Sequence, residues 1–338
     1  GMSVIVFAAI FVFSALAALI ATGVLLPILR RCKVFDLPNE RSSHERPTPS
    51  GGGIALVFVA VTIWLAISYD VFDWFQIMES DQNVKWVTGG TVFLALVSWV
   101  DDLKGLNPLI RLASQLGTVI GVMILLPEPL VLFNGMIPSW LDQVIIVFLW
   151  IWFINLFNFM DGIDGLAGIE TGAIGLGVFF IATYTSIGGT LAILALTLSA
   201  VGIGFLVWNW APAKIFMGDV GSVPIGFLLA WLLLTLAQKG YMLQALIIPF
   251  YYLADATVTL VSRTSRGEKI WLPHRDHYYQ QAVQRGLGHA RVSVVVAGLN
   301  AFLIGLALLS LWSEVGGLLG GVVVTTLVLF YMRGENRI

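Results

Sequence analysis

Apolar runs of about twenty residues, each long enough to cross a hydrocarbon layer as a helix, recur from one end of this chain to the other. In lipid every backbone N–H and C=O must find a partner within the chain, so such runs are expected as transmembrane helices. At that length per span, eleven are expected, at roughly 3–29, 53–69, 86–100, 109–126, 141–157, 166–186, 190–208, 222–237, 241–261, 292–311 and 315–332. Only 11% of the 338 residues are charged, against about 25% in a soluble domain. The expected fold is therefore an all-α polytopic integral membrane protein. No segment between spans is long enough to fold separately, so residues 1–338 are read as one transmembrane catalytic domain with five cytosolic loops.

Charge gives the sidedness. Arg30, Arg31, Lys33, Arg41 and Arg46 follow the first span, which places that loop in the cytosol and the N-terminus outside. Carried through eleven spans, the alternation puts every lysine and arginine except Lys85 and Lys239 on the cytosolic side, and Arg333 and Arg337 place the C-terminus there. The first run lacks a basic leader and a small-residue cleavage site, so it is read as a retained span. The lone Cys32 excludes an intramolecular disulfide.

The unusual polar residues collect on that same side. Asn155 to Gly165 reads N-L-F-N-F-M-D-G-I-D-G. In a helix Asn158 and Asp161 share a face at i, i+3, and Asp164 follows three residues on. Carboxylates at the end of an apolar run point to a functional site; the bland alternative is a capped helix end. Asp101 and Asp102 stand side by side in W-V-D-D-L-K-G-L-N-P, and Asp219 lies in N-W-A-P-A-K-I-F-M-G-D-V-G-S. An adjacent pair cannot face one point from a helix, so one faces a substrate while the other orients a neighbour, caps a helix or stays solvated. Asp255, within the ninth span, is either a packed polar contact or part of the site.

Oxygen donors without a histidine–cysteine cluster suit a hard divalent cation. Magnesium takes one or two protein ligands and leaves the rest to water and phosphate, with Asn158, Asp161, Asp164 and Asp219 as candidates. His44, in the Pro- and Gly-rich first loop, and His274, Arg275 and His277, in the fifth, lie on the same side. Histidine and arginine donate to the anionic oxygens of a diphosphate; the arginines of the fifth loop alternatively meet anionic lipid. No phosphate-binding Gly-x-x-x-x-Gly-Lys-Ser/Thr loop occurs, which argues against ATP-driven work. Gly316–Gly320 and Gly317–Gly321 fit small-xxx-small packing, within one chain or in a homodimer.

Taken together, N-x-x-N-F-M-D-G-I-D-G, P-A-K-I-F-M-G-D-V-G-S, the Asp101–Asp102 pair and the first loop resemble the polyprenyl-phosphate N-acetylhexosamine-1-phosphate transferases. The resemblance covers nearly the whole chain. It implies a bacterial inner-membrane enzyme with a cytosolic, magnesium-dependent site (manganese being the alternative ion). Such an enzyme joins a sugar 1-phosphate from a UDP-sugar to a polyprenyl phosphate such as undecaprenyl phosphate and releases UMP. By the same resemblance, Asn158 and Asp219 lie near the metal, and Asp101 activates the lipid phosphate with Asp102 beside it. Asp161 and Asp164 line the cleft; Asn209 and Phe216 hold the uracil, Phe216 by stacking. His274, Arg275, His277 and His44 complete the substrate-binding set. The separated histidines of His-Arg-Asp-His resemble enzymes that initiate O-antigen-like glycans, including those using 6-deoxy amino sugars, rather than the muramoyl-pentapeptide branch. No nucleic-acid partner is expected. Two rival readings are a transporter, which would place polar groups near the midplane, and an intramembrane aspartyl protease, which needs two aspartates within spans.

Overall fold

The computed structural model describes residues 4–38, 46–69, 82–269 and 274–334. The chain is an all-α membrane protein. Its helices are α1 (Val4–Arg31), α2 (Gly53–Ser68), α3 (Gln82–Lys104), α4 (Pro108–Leu125), α5 (Ser139–Phe159), α6 (Leu166–Thr185), α7 (Gly189–Asn209), α8 (Asp219–Leu236), α9 (Met242–Ile247), α10 (Phe250–Ser265), α11 (Tyr278–Gln284), α12 (His289–Leu309) and α13 (Glu314–Arg333). A π-helical turn, Ala237–Tyr241, joins α8 to α9. Two-residue strands β1 (Phe35–Asp36) and β2 (Thr48–Pro49) pair antiparallel.

Among the described residues eight segments are long and apolar enough to cross a membrane by length and composition, and Gly53–Ser68 is a shorter apolar helix. The expected spans at 53–69, 86–100 and 241–261 differ for physical reasons. α2 has only 16 residues. α3 has 23 residues but carries Lys85, Asp101, Asp102 and Lys104. The segment after α8 is interrupted twice, by Gly240 at φ 97 and by Pro249 ahead of α10.

Burial separates core from lipid-facing helices. In Asp219–Ile247 94% of the apolar window is buried, against 11% in α1, so α8 is the axis and α1 a peripheral strut. α5 packs on α8 through Trp150, which stacks on Phe227 at 4.8 Å and donates to the Phe227 carbonyl at 3.0 Å. Phe13 on α1 and Leu319, Val323 and Leu327 on α13 are exposed. Apolar surface of this kind suits hydrocarbon as the solvent.

α2 and α8 begin in backbone contact. A Cβ on Gly53 would fall 2.0 Å from the Gly221 Cα. Gly52 and Gly53 donate to the carbonyls of Phe216 and Met217, both at 2.8 Å. The glycines of the first loop thus admit a neighbouring helix, clamping that loop onto the one that starts α8.

Candidate active site

α3 ends where Gly105 adopts φ 66, and α4 starts at once, with the Asn107 side chain capping Leu109 and Pro108 in the first turn. This tight reversal folds the helix end over Asp101. One carboxylate oxygen accepts from the Leu106 N–H at 2.6 Å; the other meets Arg111 Nε, from the first turn of α4, at 3.0 Å.

Asp102 reaches a different element. Its two oxygens accept from the N–H groups of Asp219 at 3.0 Å and Val220 at 2.9 Å. The orphan donors at the start of α8 are therefore capped by α3, from 117 residues away. Gly218 makes this possible. It sits at φ 74, and a Cβ there would stand 2.9 Å from the Asp102 carboxylate.

Asp219 is the first residue of α8, and two neighbours hold its carboxylate. Asn158, in the last turn of α5, donates from Nδ2 at 2.8 Å, while Arg111 Nη2 lies 3.4 Å from the other oxygen. The same Asn158 amide nitrogen also meets Ser222 Oγ at 2.7 Å. Asp101, Asp102, Asn158 and Asp219 thus form one connected network, joined by Arg111 and Ser222. Neither joining residue was singled out in the sequence. Arg111 had a signal nonetheless, as a cation in the first turn of an otherwise apolar helix beside two aspartates.

Asp161 stands just past α5 and makes no side-chain hydrogen bond among the described residues. Burial, then the charges of Asp219 and Asp102, push its carboxyl up to about 7 from 3.8. Among the described residues this cluster sets a single guanidinium against four carboxylates, which suits a cation. No three His, Cys, Asp or Glu side chains form a cage among the described residues, but magnesium with water and phosphate needs only one or two. Asp219, its side chain 29% exposed, and Asn158, whose Oδ1 is the atom left to offer, fit that requirement.

Asp164 and Asn209 tie neighbouring loops together. Asp164 accepts from the Ala213 N–H at 3.0 Å, pairs with His289 at 3.2 Å and takes the Ser293 hydroxyl on its carbonyl at 2.7 Å. Asn209 is buried, accepts from Gly165 N at 3.0 Å and donates to the Ile215 carbonyl at 2.9 Å. Phe216 is half-buried and its backbone bridges to Ser50.

The fifth loop docks through Asp255. This buried carboxylate accepts from the Tyr278 and Tyr279 N–H groups at 3.0 and 3.3 Å, capping α11. It also takes the Tyr251 and Thr259 hydroxyls at 3.1 and 3.3 Å and meets His277 Nδ1 at 3.3 Å. His274 stacks against His277 at 4.9 Å. Burial, then His277 and Arg263, lower its pKa to about 4, so its ring is neutral near pH 7. Tyr279 donates to the Phe159 carbonyl at 3.0 Å, beside Asn158. A Cβ on Gly162 would collide with that hydroxyl at 2.1 Å. Arg275 lines a separate cleft with residues of α10 and α13. His44 lies outside the described residues.

A family model described as Glycosyl transferase family 4 matches residues 84–237, from α3 to the end of α8. The chain is 27% identical over 317 residues to a Bacillus subtilis protein named as a probable undecaprenyl-phosphate N-acetylglucosaminyl 1-phosphate transferase, covering 90% of this chain and 84% of the relative. It is 29% identical over 324 residues to a Mycolicibacterium smegmatis decaprenyl-phosphate N-acetylglucosaminephosphotransferase, with 86% and 79% covered. A phospho-N-acetylmuramoyl-pentapeptide-transferase of Streptococcus pneumoniae is 30% identical over 252 residues, with 69% and 73% covered.

Proposed function

The chain belongs to glycosyl transferase family 4, and from that premise we propose that it transfers an N-acetylhexosamine 1-phosphate unit from a UDP-sugar to a polyprenyl phosphate. An oxygen of the acceptor phosphate bonds to the sugar-bearing phosphorus as the bond from that phosphorus to UMP breaks. The observation that carries this reading is the joining of Asp101, Asp102, Asn158 and Asp219 at one end of an apolar bundle. A water-soluble donor can meet a lipid acceptor there while the acceptor's tail stays in hydrocarbon.

Phosphoryl transfer needs positioning and charge neutralisation more than covalent machinery. Magnesium, or manganese in its place, would supply the neutralisation when held by Asp219 and Asn158. Arg111 holds Asp101 and Asp219 at a fixed separation, and Asp102 fixes the start of α8. In this reading Asp101 faces the acceptor phosphate in a direct attack and Asp161 lines the cleft. Asp164 and Asn209 act by bracing the loops around it, with Phe216 stacking on uracil. His274, as a neutral donor, and His277 stand on the sugar–diphosphate side.

The family, with the one-sided charge, supports eleven membrane crossings of a single catalytic domain in the bacterial inner membrane. The N-terminus would be outside and the C-terminus and active site in the cytosol. The His-Arg-Asp-His loop favours initiation of an O-antigen-like glycan on undecaprenyl phosphate, with a plain or 6-deoxy N-acetylhexosamine.

The test is UMP release by the purified full chain in detergent, across a panel of UDP-N-acetylhexosamines. Release is expected only with undecaprenyl phosphate and magnesium both present. No release from any donor would overturn the assignment.

A further inference from the structure

The same end of the bundle holds a second cleft of opposite character. It has a volume of about 330 Å³ and lies between α10, α11 and α13. Arg266, Arg275 and Arg333 line it with the Ser262 hydroxyl, and Asp276 is the one carboxylate on its wall among the described residues. Arg263 pairs with that carboxylate, and Arg266 Nη2 stands 3.7 Å from it. Arg266 also binds Glu268 through Nε at 2.7 Å and Ser262 Oγ through Nη1 at 3.2 Å. Among the described residues the cleft wall thus carries three guanidinium groups and one carboxylate, with Arg263 and Glu268 paired beside it, a positive excess.

Its place in the bundle narrows what that excess meets. Ser262 and Arg266 belong to the last turn and cap of α10, and Arg333 is the last residue of α13. Arg285, just past α11, donates to the Tyr331 carbonyl at 2.6 Å and ties the two helix ends together. One turn back into the bundle, Val258 lines the cleft, and Val258 and Val261 are exposed apolar side chains on α10. Guanidinium groups at a helix end above exposed aliphatic surface match a molecule with a phosphate head and an acyl body. A basic residue near an anionic leaflet is drawn to its headgroups, and arginine clamps phosphate oxygens bidentately.

We propose that this cleft is a phosphate-binding site, separate from the carboxylate network, that holds the head of an anionic phospholipid. Arg275 and Asp276 lie between His274 and His277, and Tyr279 of the same loop touches the end of α5. An occupant therefore steadies the fifth loop where it meets the candidate active site. The binding claim does not rest on the transferase reading.

The experiment uses the full chain in a neutral detergent and follows thermal stability. The probes are dihexanoyl phosphatidylglycerol, dihexanoyl phosphatidylcholine and inorganic phosphate. Phosphatidylglycerol is expected to raise Tm in a saturable way. Arg333→Gln should weaken its apparent affinity roughly tenfold, with Arg333→Lys between the two. Arg333 is exposed, so Tm without probe should stay as in the wild type. A phosphate-induced rise equal to that of phosphatidylglycerol, and lost in Arg333→Gln, keeps the phosphate site and gives it to a free anion. Equal effects of phosphatidylcholine and phosphatidylglycerol, or no change in either arginine variant, would overturn the proposal. UMP release plays no part in the readout, so failure here and failure of the transferase assignment are distinguishable.

Discussion

Asp102 and Asp255 perform the same local task in very different company. Each accepts two consecutive backbone N–H groups at the start of a helix, Asp219 and Val220 for Asp102, Tyr278 and Tyr279 for Asp255. Around Asp255 the remaining partners are hydroxyls and an imidazole, so its charge is spread over donors in a closed pocket. Around Asp102 stand further carboxylates with one arginine among them. The capping device is identical; what differs is the charge left over. One arrangement is complete, whereas the other holds several carboxylates against one guanidinium among the described residues.

Removing Asp219 tests the second half of that contrast and should have the largest effect on turnover. Its carboxylate caps nothing, since Asp102 already satisfies the start of α8. Asp219→Ala should lower UMP release by at least about 100-fold, the scale on which a positioned electrostatic partner acts. Tm should move little. Turnover at the wild-type rate would take Asp219 out of the site.

Asp255→Ala probes the first half, and there stability should fall before chemistry is considered. The change leaves the Tyr278 and Tyr279 N–H groups and two hydroxyls without their acceptor in a buried place. At about 1–3 kcal/mol for each group left unsatisfied, the loss is several kcal/mol. A marked drop in Tm and faster proteolysis of the fifth loop are expected, with Asp255→Asn intermediate. If Asp255→Ala kept the wild-type Tm and lost only activity, the carboxylate would belong to the chemistry instead.

The sequence carried the helical class and the crowding of polar groups at one end because both follow from composition and from the repeat length of apolar runs. Asp101, Asp102, Asn158 and Asp219 were legible as a group: each is a polar residue at an apolar boundary, and parity puts those boundaries on one side. Their separate jobs were not. Whether Asp102 or Asp101 reaches α8 depends on how tightly Gly105 and Pro108 reverse the chain, which no periodicity encodes. Asp164 and Asn209 look like cleft residues by position, yet their partners, Ala213, His289, Gly165 and Ile215, come from loops whose contacts are fixed only by tertiary packing. The helix breaks were no more legible: a sliding apolar window passes over Gly240 and Pro249, where the backbone direction changes.

The smallest predicted effect sharpens the contrast through pH. Asp161 faces the Asp219 and Asp102 carboxylates, and burial with those charges lifts its carboxyl from 3.8 to about 7. The folded protein therefore holds this proton more tightly than the unfolded chain does. Between the two values folding takes up a proton, so this residue's contribution to stability falls as pH rises through that window and levels off above about 7. Asp161→Asn cannot lose a proton and should remove that slope. Its Tm should match the wild type near the lower end of the window and exceed it modestly near about pH 8. Magnesium should shrink the gap, because a cation among these carboxylates favours their charged forms. Parallel Tm–pH curves for the two proteins would mean that Asp161 does not share the field of Asp102 and Asp219. The excess negative charge that separates this cluster from the Asp255 pocket would then be smaller than the geometry implies.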